Sequence, residues 1–132
     1  MSKKILPATM IIILMCSGSC TGEDRMKIYF IPFNVQTYVP VTMNNIEEKA
    51  FHVFEITNNS KLAIKLIRML DQDNYGILDD KMIRLKLQNR DKIYYVDSKG
   101  NIKVSTKISK CDTEDVEKVI NEMIAKYKQT PK

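Results

Sequence analysis

His52 and Cys111 are the two residues of this 132-residue chain that we consider first as candidates for catalysis. His52 is the single histidine, and no serine or cysteine motif lies beside it for a general base to activate. Cys111 directly precedes a predicted helix, a position that can lower a thiol pKa, but the sequence offers it no identifiable base. We interpret them as a strand-surface histidine and a small residue at an element junction. We predict no catalytic residue, no cofactor and no enzymatic activity.

One acidic segment has part of the spacing of a calcium-binding loop. Asp71, Asp73, Gly76 and Asp79 stand at loop positions one, three, six and nine. Position twelve, where the loop needs a bidentate glutamate, is Met82, and a strand pattern follows in place of a helix. No CxxC or Cys/His spacing occurs elsewhere. The sequence therefore predicts a polar helix-to-strand connection here and no metal site.

Basic and tyrosine residues are interspersed in the strand patterns between residues 81 and 106. Tyr94 and Tyr95 are neighbours in one predicted strand, so their side chains must point to opposite faces. An exposed tyrosine among lysines and arginines would form a basic-aromatic patch suited to a protein or an anionic glycan. The alternative is an ordinary solvated face. The predicted binding face consists of Arg84, Lys86, Lys92, Tyr94, Tyr95 and Lys103.

The elements that would position these residues begin with short strands. Apolar patterns predict strands over residues 27–33, 36–42 and 50–57, with prolines limiting the pairing of the first two. A single helical turn over residues 46–49 follows Asn44 or Asn45, either of which can cap it.

Two amphipathic helices are predicted. Ser60 caps the first, and Asp112 or Thr113 caps the second, which carries acidic residues near its amino end. Apolar residues recur at helical spacing in both. They are Leu62, Ala63, Leu66, Ile67 and Leu70 in the first helix, and Val116, Val119, Ile120, Met123, Ile124 and Tyr127 in the second.

Residues 81–88 alternate between apolar and polar side chains, which predicts a strand. Ile83, Leu85 and Leu87 should face one way, and Arg84, Lys86 and Gln88 the other. Strands over 92–96 and 101–106 complete an antiparallel meander, with Gly100 supplying a positive φ in the connecting loop. The expected fold is α+β, an antiparallel sheet of N-terminal strands plus a C-terminal three-stranded meander, with two amphipathic helices packed on one face.

The first twenty residues have the three parts of an export signal. Lys3 and Lys4 give a positive start, residues 5–15 form an apolar run, and residues 16–20 are small or cysteine. The apolar run is about half of the roughly 20 residues that span a bilayer, which favours a signal over a transmembrane helix.

The Ser-Gly-Ser-Cys segment that ends at Cys20 resembles the signal of bacterial lipoproteins, although Ser17 stands where that class usually has leucine. The resemblance implies that Cys20 becomes the first mature residue and carries the lipid. The predicted organisation is then a signal peptide at 1–19, a lipidated tether at 20–25 and one small domain at 26–132. Two alternatives are secretion with cleavage near the same bond, which would let Cys20 pair with Cys111, and an uncleaved anchor.

The lipoprotein resemblance also implies a bacterial envelope location, periplasmic or surface-facing. Thr21 differs from the aspartate associated with inner-membrane retention, which favours the outer membrane, and Glu23-Asp24 resembles the acidic tags of surface lipoproteins. The membrane would be contacted through the N-terminal lipid.

Charge and the lack of a catalytic pattern limit the function classes. Without residues 1–19 the net charge falls from +5 to +3, too small and too dispersed for a nucleic-acid interface. We expect a non-enzymatic module that binds another protein or an envelope glycan, for example an immunity or inhibitor protein. The alternative is a structural or assembly component of the outer membrane, and an enzyme is the least favoured class.

Overall fold

The computed structural model describes residues 25–127, which form six strands and three helices. The predicted signal peptide, Cys20 and residues 128–132 lie outside these residues. Arg25, which we expected in the tether, is the first residue of a strand. The strands are β1 (Arg25–Phe30), β2 (His52–Thr57), β3 (Ile83–Asn89), β4 (Lys92–Asp97), β5 (Asn101–Val104) and β6 (Lys107–Lys110). The helices are α1 (Ile46–Lys49), α2 (Lys61–Leu70) and α3 (Thr113–Tyr127).

The six strands make one antiparallel sheet in the order β2-β1-β3-β4-β5-β6. The predicted α+β class and antiparallel sheet are confirmed. The meander has four strands, however, because the chain reverses after Val104 through Ser105, whose φ is 58°. The two predicted strand residues Ser105 and Thr106 thus form a turn, and β6 follows at the sheet edge.

Helices α2 and α3 pack together on one face of the sheet, as predicted, and enclose the larger core. Ser60 Oγ accepts a hydrogen bond from the amide of Ala63 at 3.2 Å, so the first predicted cap is confirmed. At α3, Asp112 Oδ1 accepts from the amides of Glu114 and Asp115. These side chains satisfy first-turn amides that no helical carbonyl can reach.

The opposite face of the sheet carries a smaller core beneath residues 31–50. Its buried members are Tyr29, Ile31, Val41, Ile46 and Ile83. The strand predicted over 36–42 is wrong: the segment makes a single parallel bridge between Val41 and Met82, and Tyr38 is fully exposed. Pro40 has no amide hydrogen to donate to a sheet, so the chain instead crosses the sheet end and inserts Val41.

A β-bulge in β3 changes the predicted facing of its side chains. Ile83 pairs with Asp97, whereas Leu85 pairs with Val96, so Arg84 is an extra residue without its own partner. An extra residue reverses the alternation of a strand. Ile83 therefore joins the smaller core, while Leu85 and Leu87 face the helices, which corrects the expectation that all three share one face.

No helix within residues 25–127 is both long enough and apolar enough to cross a membrane.

Candidate interaction face

Arg84 was predicted on an exposed binding face, but its side chain is fully buried. Nε donates to the carbonyl of Val35 at 3.2 Å, and one terminal nitrogen donates to the carbonyl of Ile83 at 3.0 Å. Burial lowers the pKa of the guanidinium, and the nearby Asp79 and Asp97 oppose that shift. Arg84 lies on the same face as Lys86, where residues 31–50 cover it, so it holds that segment on the sheet and is unavailable to a partner.

Lys86 is also buried, but it organises the residues that reach the surface. Its Nζ lies 2.5 Å from Glu47 Oε2 of α1. The same Nζ lies 5.6 Å from the ring centre of Tyr29 and 5.7 Å from that of Tyr95. An ammonium over two aromatic rings is attracted by both ring faces. Lys86 thus holds the two tyrosine rings in place through its ammonium group. It is not an exposed contact, which corrects the prediction that it belongs to the binding face.

The Lys86–Glu47 pair shifts both pKa values. Burial alone would lower the pKa of Lys86, but the hydrogen bond to Glu47 and the neighbouring tyrosines raise it above its ordinary value. The hydrogen bond and charge of Lys86 lower the pKa of Glu47. Both groups are therefore charged throughout the neutral range.

Two further residues of the predicted face lie on the other side of the sheet. Tyr94 is fully buried in the larger core, and its hydroxyl donates to Asp71 Oδ1 at 2.8 Å. Burial and this hydrogen bond raise the pKa of Tyr94. Lys92 Nζ lies over the Tyr94 ring at 5.6 Å and 3.8 Å from Asp71 Oδ1. The six predicted residues consequently do not form one patch.

Tyr95 and Lys103 do lie on the face opposite the long helices. Strand register places Tyr29, Lys86, Tyr95 and Lys103 side by side across four strands. Because directly paired residues share a face of a sheet, aromatic and basic side chains alternate in one row. Val53 of β2 extends the row beyond Tyr29 and is 41% exposed.

A second row lies beside the first, farther from residues 31–50. It contains Glu55, Lys27, Gln88 and Ile93, which pair in register across β2, β1, β3 and β4. The hydrogen bond and charge of Tyr29 raise the pKa of Lys27. Residues 31–50, which include α1, lie over the part of the first row where Tyr29 and Lys86 are buried, whereas α2 and α3 pack on the other face. We name as the open sheet face the residues Lys27, Val53, Glu55, Gln88, Ile93, Tyr95 and Lys103.

Two grooves lie on the open sheet face. One of about 870 Å³ is lined by residues that include Lys27, Glu55 and Gln88, and one of about 360 Å³ by residues that include Tyr95 and Lys103. Sequence reasoning missed Lys27, Glu55, Gln88 and Ile93. Alternation in β1 could have indicated that Lys27 and Tyr29 share the face opposite buried Met26 and Ile28. It does not reveal which strand lies next to β1.

The other residues considered for chemistry have structural surroundings. His52 is half-buried and stacks on Phe30, with ring centres 6.3 Å apart. Burial, followed by the charges of Asp112 and Asp97, raises the pKa of Cys111 to about 12. The lowered thiol pKa that a helix start can produce is therefore not found here, because desolvation and the neighbouring carboxylates disfavour the thiolate.

The acidic segment that resembled a calcium loop binds the β4–β5 hairpin through Asp97. The buried Asp97 carboxylate accepts hydrogen bonds from the amides of Asp79, Lys99 and Asn101, and from the Asn101 side chain. Asn74 exchanges two hydrogen bonds with the backbone of Lys110 on the edge strand β6. Within residues 25–127, no three histidine, cysteine, aspartate or glutamate side chains are grouped to hold a metal ion.

Comparison of this chain with protein-family models, with curated proteins and with solved structures finds no match.

Proposed function

We propose that this chain is a non-enzymatic lipoprotein of the bacterial envelope, anchored through Cys20, and that its domain binds another macromolecule. The proposed binding surface is the open sheet face, and its partner is a protein or an envelope glycan. The outer membrane is the proposed location. The observation that carries the proposal is that Tyr95 and Lys103 lie side by side, next to the second row, on the sheet face opposite the two long helices.

Tyr95 is suited to binding because its ring is held in place before a partner arrives. Lys86 contacts the rings of Tyr29 and Tyr95, and Glu47 neutralises its charge. Aromatic side chains held in place lose little conformational freedom on binding, so more of their contact energy remains as affinity. The flanking Lys103 and Lys27 add positive charge at the rim, where charge mainly sets association rate and specificity.

The binding experiment uses the soluble form of the chain, residues 21–132, as bait in envelope extracts and culture medium. Lys103→Glu reverses a charge on the open sheet face, and Lys65→Glu makes the same reversal on the exposed side of α2. We expect a specific partner that Lys103→Glu loses and Lys65→Glu retains. Recovery of no partner, or equal loss with both variants, would contradict the proposal.

Anchoring is tested separately by metabolic labelling with palmitate. We expect label on the wild-type protein and none on Cys20→Ser. A mature protein whose N-terminal cysteine carries a bare thiol would contradict the lipoprotein assignment while leaving the binding face to be judged by the capture experiment.

A further inference from the structure

The end of the sheet at which β1 begins is rich in basic residues. This end contains the start of β1, the connection from β2 to α2, and the β3–β4 and β5–β6 turns. The Asn58 side chain donates to Asn89 Oδ1 at 3.0 Å, which joins two of these connections. We name as the basic end the residues Arg25, Lys61, Arg90, Lys92 and Lys107.

The opposite end of the sheet is dominated by acidic residues. The amide of Cys111 donates to the carbonyl of Gly100 at 2.8 Å, which brings the start of α3 beside the β4–β5 turn. Lys81, Lys99 and Lys110 are basic residues interspersed among these acids. The acidic residues at this end are Asp79, Asp80, Asp97, Asp112, Glu114 and Asp115.

Some acidic residues lie near the basic end, but they pair with its basic side chains only weakly and at the surface. Asp91 is in the β3–β4 turn, and three exposed ion pairs join Arg25 to Glu55, Lys92 to Asp71 and Lys107 to Asp73. Exposed pairs of this kind contribute little and exchange readily with other charges. An anionic surface can therefore replace the carboxylates as the partner of these side chains.

The position of Arg25 relates the basic end to the proposed anchor. Cys20 precedes Arg25 by five residues, and an extended chain spans at most about 3.3–3.6 Å per residue. If Cys20 carries the lipid, the start of β1 lies within about 20 Å of the membrane surface. The basic end is then the part of the described chain that meets the headgroups first.

We infer that the basic end is a docking surface for anionic phospholipid headgroups. Docking at this end would orient the strands of the sheet along the membrane normal. This inference rests on the proposed lipid anchor. Each basic residue near an anionic membrane surface contributes favourable binding free energy, and these contributions are roughly additive. In this orientation the acidic end points away from the bilayer, and the open sheet face remains accessible from the side.

The test measures orientation in the full lipidated chain reconstituted into vesicles. A fluorophore is attached to Thr106→Cys at the basic end or to Ser98→Cys at the opposite end, each in a Cys111→Ser background because Cys111 is a free, half-buried cysteine. Vesicles contain a headgroup-linked quencher in either phosphatidylglycerol mixtures or phosphatidylcholine alone. We expect stronger quenching at position 106 than at 98, reduced in phosphatidylcholine and at high salt.

Charge-removal variants supply the matched control. Arg90→Gln with Lys92→Gln should lower the docked-to-undocked ratio about 25-fold, because each basic residue contributes about fivefold. Lys81→Gln with Lys99→Gln removes the same charge at the other end and should leave the ratio unchanged. Equal quenching at both positions in anchored protein, or insensitivity to anionic lipid, would overturn the docking surface alone. Failure of the chain to stay with vesicles would overturn the anchor and this inference together.

Discussion

The Nζ of Lys86 in β3 lies 2.5 Å from Glu47 Oε2 in α1, which joins the middle of the sheet to the segment over its smaller core. The pair also fixes the ammonium between the rings of Tyr29 and Tyr95. Ordering of the candidate interaction face thus depends on a contact between residues 39 positions apart in the chain.

The Lys86–Glu47 pair predicts a dependence of stability on acidic pH. The pKa of Glu47 is lowered from its ordinary value of 4.5 by the hydrogen bond and charge of Lys86. A lowered folded-state pKa contributes stability above the unfolded value, and that stability is lost as pH falls through the folded value. We expect Glu47→Gln to flatten the loss of unfolding free energy below pH 4.5 seen in urea titrations of the wild type. Identical pH profiles would contradict this assignment.

Arg84 predicts a contrast between two substitutions. Its side chain is fully buried, and within the described residues one terminal nitrogen has no hydrogen-bond partner. Arg84→Ala opens a cavity and should lower the free energy of unfolding by about 2–5 kcal/mol. Arg84→Met fills most of that volume without a buried charge and should cost less, because replacing a buried charge by an apolar side chain is often near neutral. Urea unfolding measures both, and an equal loss would show that the hydrogen bonds, rather than volume, dominate.

Gly76 predicts a steric effect in the segment that binds the sheet edge. A Cβ at this position would lie 2.4 Å from the carbonyl oxygen of Ser109 and 2.7 Å from Asn101 Oδ1. Gly76→Ala should therefore lower the unfolding free energy by about 1–3 kcal/mol, as overpacking does. Asp80→Ala in the same connection is exposed and should stay within about 0.5 kcal/mol of wild type. A neutral Gly76→Ala, measured by urea unfolding, would show that the segment can move away from β6.

Cys111 predicts slow thiol chemistry in the folded protein. Burial raises its pKa to about 12, so almost no thiolate exists at pH 8. In the soluble form 21–132, which contains no other cysteine, a disulfide reagent should react far more slowly in buffer than in denaturant. Absorbance of the released chromophore measures both rates. Comparable rates would mean that the thiol is exposed and activated in solution.

Much of the fold was predictable from local patterns. The caps at Ser60 and Asp112 and the apolar faces of α2 and α3 all appear where sequence periodicity placed them. These features depend on neighbours within a few residues, which is why sequence carries them. The prediction of a strand over 36–42 was wrong although its residues have a strand-like apolar pattern. Pro40 lacks an amide hydrogen, and the segment bridges the sheet only where Val41 pairs with the distant Met82.

The candidate face was predictable in part. Tyr95 and Lys103 were identified and do share the face opposite the long helices. Tyr94 and Lys92 were assigned to the same patch because adjacent basic and aromatic residues look alike in sequence, yet they face the larger core. Lys27 and Gln88 were missed because pairing of β1 with β3 joins residues about sixty positions apart.

By itself, the sequence determined most of the element types, the antiparallel α+β class and the resemblance of residues 1–20 to a lipoprotein signal. The tertiary structure decided which side chains are covered. Alternation along a strand specifies two faces, but burial depends on which distant segment lies over each face and on whether a bulge reverses the alternation. The bulge moves Ile83 into the smaller core. Residues 31–50 cover Arg84 and convert a predicted surface contact into a buried structural one.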